Sequence, residues 1–383
     1  MKDELAAELA ELRAGSLYRR TRPLDAFDGR TGVLDGRPVL VFGSNDYLGL
    51  SRHPKLTAGA FREMTEAGAG GTGSRLTSGT TRHHEWLEQQ LAALKGAEAA
   101  LLFSSGYLAA LGTIPALAGR ADLILSDALN HACLIDACRL SRAEVRIYRH
   151  ADVEHARELL ADRSRFRRCL VVTDAVFSMD GDLAPLPQLA ELCESSGSWL
   201  MVDDAHGTGV LGKSGAGTVE HFGLEERVHV QMATLSKALA SQGGFIAGSR
   251  ELIDLLRNRA RSFIFSTALC PPSVGSSMEA LELLRREPER LETLRRHSFR
   301  LRQTLREGGV QVPEGITPII PVIIGDEAAT LSVSAALEER GIWVPAIRPP
   351  TVPPGTARLR ISLSAAHLDG DLDALASALV ETI

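Results

Sequence analysis

RCLVVTDAVFS (residues 168–178) and SWLMVDDAH (198–206) are two short apolar runs, each closing on polar side chains, with a stretch of helical spacing between them. Runs this short and this apolar read as strands buried on both faces, and a helical crossover makes consecutive strands parallel. The alternation continues outward. AALLFSSG (99–106), DLILSD (122–127) and EVRIYRH (144–150) come before, and VHVQMATLS (228–236) and GGFIAGS (243–249) come after. From about 55 to 270 the chain therefore predicts an α/β fold, a mostly parallel seven-stranded sheet covered by helices.

Around this core, residues 3–20 have the spacing of an amphipathic helix and RPVLVF (37–42) that of a short strand. Beyond PPSVG (271–275) an arginine-rich helical region precedes TPIIPVIIGD (317–326), a helix ending in EERG, IWVPAIRPP (342–350) and LRISLSAAH (359–367). The expected organisation is an N-terminal helical arm and short strand over 1–45, a large domain over 46–270, and a smaller α+β domain over 271–383.

With 44% hydrophobic and 23% charged residues, the 383-residue chain has the composition of a folded globular protein. A net charge of −6 leaves no electrostatic footprint for nucleic acid or an anionic membrane, and no run reaches the roughly 18 apolar residues of a membrane span. Cys133, Cys138, Cys169, Cys193 and Cys270 include no CxxC pair, so they read as reduced, packed thiols rather than disulfides or zinc ligands. MKDELAAELAELRAG lacks the apolar core of a signal peptide, and a cytoplasmic protein is expected.

Two glycine-rich stretches invite misreading. GTGVLGKS (Gly207–Ser214) fits the phosphate-loop pattern around Lys213, but the glycines that follow make an immediate long helix improbable, which argues against a nucleotide triphosphatase. GAGGTG (68–73) fits G-x-G-x-x-G but follows a helix-like segment instead of a strand, and reads as a loop approaching a ligand or a partner subunit.

The chemistry gathers elsewhere. Only five of the 42 basic residues are lysines. Lys2 and Lys95 fall in exposed helical contexts and Lys55 in a polar turn, whereas Lys237 sits in a small-residue loop past the end of a buried strand. A desolvated lysine there can form a Schiff base with a carbonyl. Asp203 and Asp204 end the SWLMVDDAH strand, where an open α/β sheet presents its ligands, and a carboxylate so placed needs a cationic partner. The ring nitrogen of pyridoxal phosphate would be one, and His206 could hydrogen-bond the phenolic oxygen of that ring or the carboxylate. Gly106 and Tyr107 open a helix whose amides suit a phosphate, Thr234 and Ser236 flank the lysine, and Ser178 and His131 lie in further strand-to-helix loops.

Together these residues resemble the α-oxoamine synthase family of fold-type I pyridoxal-phosphate enzymes, whose fold is aspartate-aminotransferase-like. The likeness runs through NDYLGLS, GAGGTGSRLTSG, FSSGY, LNHACLIDACRLS, VFSMDGD, VDDAHGTGVLG, TLSKAL and RPPTVPPGTARLRISLSAAH. It implies that Lys237 holds the cofactor and moves protons, Asp203 faces the ring nitrogen, and His206 with Ser178 flanks the ring hydroxyl. Gly106, Tyr107 and Thr234 take phosphate-side positions, and His131 stacks on the ring. Thr267 resembles the residue that reaches the phosphate from the other subunit, so a homodimer with shared sites is implied. Arg360 matches the arginine that grips the substrate carboxylate, with Asn45 as a second contact; Arg19 (or Arg20) and Thr351 match acyl-thioester positions.

IRPPTVPPGTARLR resembles the branch that joins L-alanine to a pimeloyl thioester, on coenzyme A or a carrier protein, to make 8-amino-7-oxononanoate in biotin biosynthesis. Glycine C-acetyltransferases, the alternative within the family, resemble it elsewhere, including LNHACLIDACRLS, but usually differ in RPPTVP; 5-aminolevulinate synthases and serine palmitoyltransferases fit less well around GTGSRLTSG. Two residues depart from the family pattern: Ala240, where glycine is common, and Gly43.

Overall fold

The computed structural model describes residues 1–383. Each of the seven apolar runs forms a strand: β1 (Ala99–Phe103), β2 (Leu123–Asp127), β3 (Glu144–Tyr148), β4 (Cys169–Asp174), β5 (Trp199–Asp203), β6 (Val230–Thr234) and β7 (Gly244–Gly248). They make one sheet of order β1-β7-β6-β5-β4-β2-β3. β7 runs antiparallel to both neighbours and every other pairing is parallel. Strand alternation divides the apolar side chains between two cores: Leu170, Val172 and Met201 enter one, and Val171, Leu200 and Val202 the other. Fully burying each such side chain stabilises the fold by roughly 1.5–3 kcal/mol.

The helices that matter for the site are α1 (Pro54–Ala67), α2 (Arg82–Leu94), α3 (Gly106–Leu117), α4 (Ala132–Ser141), α5 (Leu186–Ser196) and α6 (Pro271–Arg286). Side-chain caps set where several begin: Thr81 accepts from His84 N, Ser105 from Leu108 N and His131 from Cys133 N. The cap at Ser105 leaves Gly106 and Tyr107 as the first turn of α3, so the expected phosphate-facing amides do open a helix. No helix is long and apolar enough to cross a membrane.

The chain packs as two units. Leu50–Ser178 with Asp182–Leu291 forms one, around the seven-stranded sheet; Met1–Gly49, Met179–Gly181 and Glu292–Ile383 form the other. This differs from breaks at 45/46 and 270/271, for two physical reasons. Strand Arg37–Val41 pairs in parallel with Ile342–Trp343, so the N-terminal segment belongs to the C-terminal unit instead of standing apart. Residues 271–291 stay with the sheet unit because α6 packs closely on α1, where a Cβ on Gly59 would lie 2.6 Å from the Gly275 carbonyl oxygen. Helix Lys2–Ala14 is shorter than the expected 3–20, ending at Gly15, and it buries no residue. In the same unit, strands Ile319–Gly325, Ala357–Ser362 and Ala346–Ile347 make a three-stranded antiparallel sheet.

Candidate active site

At the carboxyl ends of β4, β5 and β6 lies a cavity of about 220 Å³. Nine residues singled out in the sequence line it: Gly106, Tyr107, His131, Ser178, Asp203, His206, Thr234, Ser236 and Lys237. Lys237 Nζ is 2.8 Å from His206 Nε2. The Thr234 hydroxyl donates to Gly243 O at 2.8 Å and lies 2.7 Å from Ser236 Oγ, which fixes the turn that carries the lysine. Tyr107 turns its phenol to the Asp136 carboxylate, so only its backbone and ring face the cavity.

Burial raises the carboxyl pKa of Asp203; the charge of Lys237, the Ala205 N–H at 3.0 Å and His131 act against it. Asp174 is also fully buried, and desolvation plus the neighbouring Asp203 charge push it well above the carboxylate range. Two carboxyl groups in one dry site cannot both ionise cheaply, so the site favours a cation against Asp203. The His131 ring is desolvated although the residue reaches solvent; burial and Lys237 lower its pKa against the pull of Asp203, leaving it neutral near pH 7.

Asp204, one residue beyond β5, has a different task. Its Oδ2 accepts from Lys95 Nζ at 2.7 Å, and that ammonium also donates to Thr208 Oγ1 at 2.7 Å and Ala216 O at 2.5 Å. Lys95 is therefore not exposed, as its helical context suggested; it is 1% exposed and a full partner in a buried ion pair. The same pair explains Gly207 of the phosphate-loop look-alike and Gly217 just beyond it. A Cβ on Gly207 would stand 2.0 Å from Asp204 Oδ1, and one on Gly217 1.7 Å from Oδ2. Lys213 is exposed and only the five-residue helix Thr218–Phe222 follows, so the stretch wraps a carboxylate and presents no phosphate cradle.

The glycines at 68–73 also serve packing: Cβ atoms on Gly71 and Gly73 would meet Ala268 O at 2.5 Å and Ser78 Oγ at 2.2 Å. Thr267, beside them, is exposed and does not line the cavity of its own chain. The other unit holds a second cluster. Arg360, 5% exposed, donates to Asn45 Oδ1 at 3.2 Å and Ser362 Oγ at 2.9 Å. Arg19, not Arg20, reaches the loop bearing Thr351, donating to Pro349 O at 2.8 Å and Arg348 O at 3.3 Å. Gly43 is explained by its neighbour, since a Cβ there would sit 2.8 Å from Pro345 Cδ.

Sequence reasoning missed four contributors. Asp174 ends β4 as Asp203 ends β5, so its strand-end position was a usable signal; its Oδ2 accepts from His131 N at 2.8 Å. Asn130 joins the loop to the sheet, donating to Val172 O and accepting from Asp174 N, both within 2.9 Å. Cys133 places its thiol 3.0 Å from His131 Nδ1, and burial raises its pKa, so it remains a thiol. His150 bridges Asp127 at 3.0 Å and Asp182 at 2.8 Å. Burial opposes its charge, but those bonds outweigh it and the pKa is pushed up to about 10. No local pattern marks Asn130 or His150, because their partners are brought near only by the fold; Cys133 lies two residues from its partner His131, and that spacing was a usable signal.

A larger cavity, about 510 Å³, opens near Trp199, Val230 and Gly248, at the other end of the sheet. Ser249 lines it, but its hydroxyl caps the helix Arg250–Arg259 by accepting from Leu252 N at 3.2 Å, and the smaller cavity is the one with convergent reactive groups.

A family model for class I and II aminotransferases matches residues 37–379, and the chain belongs to that class. The 8-amino-7-oxononanoate synthase of Anaeromyxobacter dehalogenans (strain 2CP-1) is 50% identical over 381 residues, covering 98% of this chain and 96% of its own. Within the class, the chain belongs to the 8-amino-7-oxononanoate synthase family. Among solved structures, Sphingomonas wittichii serine palmitoyltransferase superposes with a TM-score of 0.92 at 32% identity, over 99% of this chain and 96% of that one. SPT with a PLP internal aldimine gives 0.93 at 29%, over the same shares. The fold-type I architecture is thereby established.

Proposed function

We propose that the chain condenses L-alanine with a pimeloyl thioester, releasing CO₂ and the free thiol, to give 8-amino-7-oxononanoate. The acyl transfer depends on pyridoxal 5′-phosphate and serves biotin biosynthesis. The carrying observation is the convergence of Lys237, His206 and Asp203 on one cavity, in a chain half identical to a named synthase over nearly its full length.

The residues present fit the cofactor. Asp203, desolvated and backed by a second buried carboxyl group, is the anion that a protonated ring nitrogen would offset. The start of α3, with the hydroxyls of Ser105, Thr234 and Ser236, suits a phosphate. A Cβ on Gly244 would stand 2.4 Å from Gly106 N, so glycine at 244 lets the first turn of α3 sit where it does.

When bound, pyridoxal phosphate supplies an electron sink for the charge that develops at the amino acid's α-carbon. Lys237 would hold the group through its amine and, when its amine is free, would take the α-proton and later return one. Asp203 would face the ring nitrogen and favour its protonated form, with His206 and Ser178 on the side of the ring oxygen. His131, neutral near pH 7, would lie against the ring and could hydrogen-bond the incoming thioester carbonyl. Arg360 and Asn45 hold the amino acid's carboxylate, a task suited to a guanidinium fork. Arg19 and Thr351 receive the acyl thioester.

Thr267, exposed and absent from its own chain's cavity, serves the phosphate of a second subunit, so the active form is a homodimer. Five unpaired cysteines support a cytoplasmic enzyme. Borohydride reduction followed by peptide mapping tests the cofactor assignment: the purified protein should be yellow and retain the cofactor's mass on Lys237. A colourless protein that takes up no pyridoxal phosphate would sink this reading.

A further inference from the structure

Outside the cavity, one cluster joins a buried carboxylate to an accessible imidazole. Glu63 and Glu66, three residues apart on α1, share a helix face, and His83 is the second residue of α2. One potential ligand atom from each lies within 4.8 Å of the other two. The Glu63 side chain is fully buried, whereas those of His83 and Glu66 reach solvent.

Glu63 is buried by the close approach of α1 and α6, because a Cβ on Gly275 would stand 2.5 Å from Glu63 Cγ. Its Oε2 lies 2.6 Å from His83 Nδ1, but its Oε1 has no hydrogen-bond partner. The nearest fixed cation, Arg62, keeps Nε 4.0 Å from that oxygen and commits Nη2 to Glu279 at 2.9 Å. A buried carboxylate left with one bare oxygen is costly unless positive charge arrives.

We infer that Glu63, Glu66 and His83 bind one divalent transition-metal ion of the Zn²⁺ class. One imidazole with two carboxylates is a donor set that Zn²⁺ accepts, with a fourth position left for water. Ca²⁺ and Mg²⁺ prefer ligands that are all oxygen, and the imidazole selects against them. On binding, a His83 ring nitrogen becomes a ligand and the His83–Glu63 contact opens around the ion. Glu66 and His83 form the accessible edge through which the ion enters. The ion thereby clips α1 to α2, the two helices that flank the glycine-rich loop at 68–79.

The test is calorimetric titration of ZnCl₂ into the chelator-stripped, cofactor-loaded, full-length protein, in buffer free of phosphate and thiols. One ion should bind per chain. His83→Ala and Glu66→Gln should each weaken binding tenfold or more. Neither residue touches the Lys237 cavity, so the visible spectrum of the bound cofactor reports that each variant is folded. Undiminished Zn²⁺ binding by a variant carrying both His83→Ala and Glu66→Gln, or no saturable binding by the unmodified protein at micromolar ion, would overturn the assignment.

Discussion

Ala240 holds φ at 49°, in the left-handed region where a Cβ is strained, three residues beyond Lys237. That geometry accounts for glycine being the common choice in the family, and it yields a direct expectation. Ala240→Gly should stabilise the protein by about 1 kcal/mol in denaturant unfolding, the usual cost of a left-handed non-glycine residue. No gain would mean that alanine's lower chain entropy offsets the strain. At the same scale, Asp203→Asn should lower kcat by about 10²–10³-fold, the loss seen when one preorganised electrostatic partner is removed. Lys237, Asp203 and His206 were legible in the sequence because each follows an apolar run in a fixed motif. Asp174 was equally well placed, yet it passed unnoticed among strand-end residues.

The strand end VDDAH shows how one element feeds two structures. Asp203 serves the cavity, while Asp204 anchors Lys95 and orders the glycine-rich stretch at 207–217. Lys95→Ala strands a buried carboxylate and should cost about 3–5 kcal/mol. Replacing both partners, as Lys95→Met with Asp204→Leu, should recover much of that loss in thermal unfolding. If the double variant were no more stable than the single one, the pair would be holding the loop by more than charge. This pair could not be read from sequence, because 109 residues separate partners that only the sheet brings together. The strands themselves could be read, since burial on both faces leaves little choice of residue.

For the whole molecule, the buried imidazoles set the dependence of stability on pH. His84 and His367 have pKa values lowered to about 4, chiefly by burial. The unfolded chain binds more protons than the native one below about 6.5, so stability falls as pH drops from there toward 4. His150 has the opposite sign: its pKa of about 10 lies above the unfolded value, so its contribution is full below about 6.5 and is lost as pH rises toward 10. Stability should therefore peak near neutrality, and His150→Gln should flatten the alkaline limb while costing about 1.5–3 kcal/mol near pH 7. Urea titrations from pH 5 to pH 10 check both; an unchanged alkaline limb in the variant would reassign it to other groups. The division into units was harder to foresee than the fold class, because it depends on one parallel strand pair formed across some 300 residues.

The most direct test of the central claim is product formation with L-alanine and pimeloyl-CoA, set beside glycine and acetyl-CoA, with CO₂ release as the readout. The first pair should give 8-amino-7-oxononanoate, and Lys237→Ala should give no turnover. Turnover of glycine with acetyl-CoA alone would contradict the claim.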